Sequence, residues 1–137
     1  MELSSLRQQP HLSISGILEY VECGLLYRFG RIDKLPMEFK SDALEFGTAI
    51  HLVLAEYYYA RMTGDRMPIK EVHRLFEDRW RTMAEDNDEI RYSVGKDFKT
   101  LLSNGTDLLT AWHGKLPNDN YRILSIEEPF SFDIPDL

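Results

Sequence analysis

One cysteine, Cys23, stands among the 137 residues of this chain. A lone cysteine cannot close an internal disulfide, so no covalent framework holds the fold. No apolar run approaches the roughly 20 residues that a membrane-spanning helix needs. Met1 to Pro10 lacks the apolar core of a secretory signal. A cytoplasmic home follows as the default expectation, and without secretion the sequon at Asn104-Gly105-Thr106 carries no weight. Positive charge is also scarce, and the formal net charge is −7. That excludes a global attraction for nucleic acid, whose affinity rests largely on cationic contacts to phosphate. The nearest approach to a basic patch is Arg28, Arg31 and Lys34, which reads first as a solvated polar face. There is no zinc-protease helix motif, phosphate-binding Walker loop, nucleophile elbow or paired-cysteine zinc pattern.

What is present suits a soluble globular protein about one domain in size: 43% apolar and 28% charged residues. Residues 1–12 read as a flexible arm. Ser13 or Ser15 can cap a short helix with Ile14, Ile17, Leu18 and Val21 as its apolar stripe. Cys23-Gly24 interrupts it, Leu25 to Phe29 continues as another apolar turn, and Lys34-Leu35-Pro36 ends the unit.

Ser41 to Gly64 reads as a long helix. Asp42 and Glu45 resemble a capping box, and Gly64 is a natural stop. Leu44, Ile50, Leu52, Val53, Leu54 and Tyr57 are its apolar positions. Tyr57, Tyr58 and Tyr59 cannot share a face, since successive helical residues are about 100° apart, so at least one ring is expected in solvent. Pro68 suits the first position of a third helix carrying Ile69, Val72, Leu75, Phe76, Trp80 and Met83. Glu85 to Glu89 reads as an acidic loop. A fourth helix is expected over 94–116, where Gly105 lies on the apolar stripe and invites close helix packing.

After the loop Pro117 to Asn120 the pattern changes. Leu124, Ile126, Phe130, Phe132 and Ile134 alternate with mostly polar residues, a strand signature, with a bulge or break near Pro129. No second convincing strand is legible. A lone strand leaves backbone groups unpaired. It must fold into a hairpin, pair with another copy, or belong to a larger domain.

The pentapeptide Gly47-Thr48-Ala49-Ile50-His51 is the most informative local feature. Glycine inside a helix costs about 1 kcal/mol relative to alanine. Its presence one turn before a histidine implies a close backbone approach or a functional site. Position and spacing alone leave His51 as a helix histidine satisfied by a neighbouring group. On the same footing Glu127 is a solvent-facing strand residue, and Cys23 a small buried apolar one. His11, His73 and His113 stand at no ligand spacing, and Trp80 and Trp112 read as core.

Three segments in order resemble the PD-(D/E)XK nuclease superfamily, in its RecB-like exonuclease branch. Leu12-Ser13-Ile14-Ser15, then Tyr20, Cys23 and Tyr27-Arg28-Phe29, is similar to the opening motif of that branch. Phe46 to His51 is similar to its Gly-Thr-x-x-His helix, and Ile126-Glu127-Glu128-Pro129-Phe130 to its first core strand. The resemblance implies phosphodiester hydrolysis assisted by Mg²⁺ or Mn²⁺ in the complete domain, with DNA as partner, in repair or recombination. A helicase subunit or domain is a further implied partner. It makes His51 and Glu127 metal ligands and Cys23 a cofactor position. In some members that cysteine joins three others around a [4Fe–4S] cluster, which needs four thiolates. The other three are absent here, and Gly24 replaces the usual proline.

The core Asp and the Asp/Glu-x-Lys of the superfamily are not found. Glu38-Phe39-Lys40 matches the three-residue pattern but lies far too early. The expected fold is therefore mostly α with a terminal β-strand or hairpin. It would be the N-terminal portion (13–137) of an α/β restriction-endonuclease-like nuclease domain, ending after the first core strand and inactive alone. The competing expectation is a non-catalytic helical interaction module that docks a partner through its exposed strand edge. A homodimer through that unpaired strand fits either case.

Overall fold

The computed structural model describes residues 12–117 and 121–128. The chain divides into two units: Met1–Met37 with Glu128–Leu137, and Glu38–Glu127. The expected arm (residues 1–12) lies outside the described residues except for Leu12.

In the first unit, helix α1 spans Ile14–Glu22. Of its two candidate caps Ser13 is the one used: its hydroxyl accepts the Gly16 N–H at 3.1 Å. Extended backbone at Cys23 separates α1 from the single turn α2, Gly24–Tyr27. A π-helical turn follows at Arg28–Ile32. It closes with Lys34 in the left-handed region and the Leu35 N–H donating to the Phe29 carbonyl at 2.9 Å. The break at Cys23-Gly24 is where the sequence placed it. The expected stripe is not buried: Ile14, Ile17, Leu18 and Val21 are all exposed. Cys23, expected inside, is exposed too.

The second unit carries the core. The two-residue strand β1, Lys40–Ser41, leads into helix α3, Asp42–Met62. Helix α4, Ile69–Ala84, precedes β2, Ile90–Arg91, and α5, Phe98–Gly114, closes the bundle. β1 and β2 pair in parallel, Lys40 with Ile90 and Ser41 with Arg91. This small sheet corrects the expectation of no second strand. Two-residue strands carry no alternation for a sequence to display.

Helix spacing selects the buried set: Ala49, Ile50, Val53 and Tyr57 from α3, Val72, Phe76, Trp80 and Ala84 from α4, and Leu101 and Leu109 from α5. Leu44 and Leu52, expected on the apolar side of α3, are exposed. Of the three tyrosines, Tyr57 is buried, Tyr58 half-buried and Tyr59 exposed, as a 100° step requires. Trp80 is fixed twice by Phe98, through an Nε1–H bond to its carbonyl at 3.1 Å and a ring stack at 6.0 Å. A Cβ on Gly105 would stand 2.1 Å from the Phe76 ring, so this glycine lets α5 close on α4.

The N-terminus of α3 departs from the expected capping box. Ser41 occupies the cap position without a side-chain hydrogen bond, and Asp42 is the first helical residue. Its carboxylate is 2% exposed. It accepts from the Ala43 N–H at 2.8 Å, the Ser93 N–H at 3.0 Å and the Ser93 hydroxyl at 2.9 Å. Burial alone would raise its pKa. The Ser93 and Ala43 bonds and the nearby Lys96 charge outweigh that, and the net shift is downward. Asp42 therefore joins the start of α3 to the turn after β2.

The expected terminal strand is not formed over 121–128, which is irregular and bends at Ile126 and Glu127. Leu124, placed on the buried side by the alternation, is 80% exposed. Ile123 and Ile126 are the half-buried pair. The part of that strand at 129–134 lies outside the described residues.

Candidate metal centre

The physical reason for the missing strand also builds the site. Segment 121–127 meets the side chains of α3 at both ends. Tyr121 presents its ring to the Arg61 guanidinium, 5.1 Å from the ring centre. Glu127 Oε1 stands 3.3 Å from His51 Nδ1. His51 and Arg61 are ten residues apart on one helix, about 15 Å of rise. Six extended residue steps cover at most about 20 Å. Tyr121 to Glu127 thus runs antiparallel along α3, with slack for a bend. A segment tied to helix side chains at each end has no ladder to join. The bend is sharp because Glu127 adopts a left-handed φ of 49°, uncommon outside glycine and Asn/Asp.

His51 is 74% exposed and Glu127 64%. A pair this wet adds little to stability. Its interest is chemical: an imidazole nitrogen and a carboxylate oxygen, both donors, face one another at the surface. Two neighbouring ligands of an octahedral ion at ~2.1 Å stand about 3.0 Å apart. A separation of 3.3 Å is compatible with both holding one hard cation. They are not a full shell. Among the described residues no group of three or more His, Cys, Asp or Glu side chains is placed to hold a metal. The pair fits part of a Mg²⁺ or Mn²⁺ site, an ion that keeps several waters and takes substrate phosphate oxygens.

Gly47 lies one turn before His51, on the same side of α3. Of the two readings the sequence left there, the close approach is not made by the described residues: a Cβ at Gly47 would meet none of their atoms within 4 Å. Among the described residues that close approach occurs at Gly105 instead.

Cys23 belongs to the other unit and is the chain's single thiol. One thiolate does not fit a [4Fe–4S] cluster, which takes four. No periodicity marks the contact of segment 121–127 with α3, and only the resemblance, by making His51 and Glu127 ligands of one metal, implied it. Asp42 was singled out for the wrong partner, since its link to Ser93 crosses 51 positions. No helix among the described residues is long and apolar enough to cross a membrane.

No curated protein and no solved structure matches the chain. The family model of the PD-(D/E)XK nuclease superfamily matches residues 11–135, nearly the whole sequence, and the chain belongs to that superfamily.

Proposed function

We propose that this chain is the helical portion of a divalent-metal-dependent deoxyribonuclease of the RecB-like branch, acting in DNA repair or recombination. The observation that carries the reading is the meeting of His51 and Glu127 at 3.3 Å across 76 positions of sequence. These are the two residues that the motif resemblance singles out as metal ligands, and superfamily membership supports a nuclease-type chemistry. When bound, Mg²⁺ or Mn²⁺ activates a water and neutralises the phosphate. The chain's own part is to hold that ion by two donors fixed on α3 and on the bend after it.

Holding a metal is not sufficient for hydrolysis. These 137 residues contain no Asp followed by an acid-x-Lys at the spacing of the superfamily core. One imidazole and one carboxylate do not replace them, so the chain by itself is expected to be inactive. Incubation of linear and supercoiled DNA with the protein and Mn²⁺ tests this. The expected result is no cleavage above background. Robust cleavage that disappears in His51→Ala would show that these residues are enough, and would overturn the inactivity.

A further inference from the structure

We infer that the first unit contains a second nucleic-acid contact, a cavity that takes a phosphate and an adjoining base of single-stranded DNA. The inference rests on the nuclease reading for its choice of DNA. The cavity is a half-open cleft of about 940 Å³ between α1 and the π-helical turn. That is near the upper end of the ~300–1,000 Å³ of ligand sites. Ser13, Ser15, Tyr20, Tyr27, Arg31 and Lys34 supply its polar and aromatic lining.

The lining is organised around Arg31. Its Nη1 donates to Ser13 Oγ at 3.4 Å, its Nη2 to Ser15 Oγ at 3.2 Å, and its Nε to Glu19 Oε2 at 2.5 Å. A guanidinium has five N–H groups, so two remain for an incoming oxygen. Gly16 makes this placement feasible, because a Cβ there would lie 3.3 Å from the Arg31 guanidinium carbon. The Arg28, Arg31, Lys34 group, read from sequence as a solvated face, is thus divided. Arg28 pairs with Asp33 and Arg31 with Glu19, while Lys34 is in no ion pair among the described residues. Lys34 is the cation left for a phosphate.

The aromatic side completes the chemistry. Tyr20 and Tyr27 meet edge to face at 5.5 Å, and Arg31 lies over the Tyr27 ring. Tyr20 remains 61% exposed, which leaves ring surface free for a base. A cation beside an exposed ring is how proteins hold single strands without reading sequence. A duplex keeps its bases stacked on one another and offers no free base to Tyr20.

The test titrates the 137-residue protein into a fluorescently labelled single-stranded oligonucleotide in EDTA, read by anisotropy over a range of salt. Tyr20→Ala is expected to weaken binding roughly tenfold, and Tyr20→Phe, which keeps the ring, to restore it. Lys34→Ala is expected to weaken binding and to reduce the slope of log affinity against log salt by about 0.7. Lys70→Ala, in the other unit, is the control for charge alone and should stay within about twofold of wild type. Absence of binding at low salt, tighter binding to duplex, or Tyr20 and Lys34 variants that behave like Lys70→Ala would each overturn the cavity. Mn²⁺ affinity measured on the same proteins tests the metal reading separately, so either can fail while the other stands.

Discussion

Gly47 and Gly105 are the same residue in the same kind of element, yet their surroundings demand opposite outcomes. At Gly105 a methyl group would enter the buried Phe76 ring. Overpacking of that kind costs about 1–3 kcal/mol, more than the roughly 1 kcal/mol that alanine gains in helix propensity. At Gly47 no described atom is within 4 Å of the added Cβ, and only the gain remains. Gly105→Ala is therefore expected to lower the urea midpoint, and Gly47→Ala to raise it by up to about 1 kcal/mol of stability, with unchanged slopes. A midpoint that falls for Gly47→Ala would mean that α3 is covered there after all. Sequence could mark both glycines as anomalies on apolar helices. It could not tell which one a neighbouring ring requires, because that depends on where α4 places Phe76.

At the scale of elements, the joint between α3 and the turn after β2 rests on Asp42. Its folded carboxyl titrates below the usual carboxylate value of about 3.9. A depressed carboxyl adds stability that is fully present above the unfolded value and is lost as pH falls through the folded one. Asp42→Ala should lose about 1–3 kcal/mol at neutral pH, because Ser93 is left without its acceptor. The gap to wild type should narrow as pH drops below about 4. Denaturation at pH 7, 5 and 3 reads it, and a gap independent of pH would contradict the account. The long helices were legible from apolar residues at helical spacing with Gly64 after one and Pro68 before the next, whereas the last begins at Phe98 behind an Asp97 cap and not at 94 as expected. The β1–β2 bridge was not, since two residues show no period. The alternation that starts at Leu124 forms no strand over the described residues 121–128, because what that stretch meets is a helix flank and not another strand.

For the whole molecule, superfamily membership supports a nuclease-type function, and the proposal adds that His51 and Glu127 hold a divalent ion for it. His51 stood out through a motif on a helix. Its meeting with Glu127 was implied only by the resemblance, because no local pattern brings together two groups that lie 76 positions apart in sequence and 3.3 Å apart in the fold. Isothermal titration of the 137-residue chain with Mn²⁺ tests the central claim most directly. The wild type should bind one ion. His51→Ala and Glu127→Gln should each raise the dissociation constant at least about tenfold, with unchanged far-UV circular dichroism. Equal Mn²⁺ affinity in all three proteins would contradict the site.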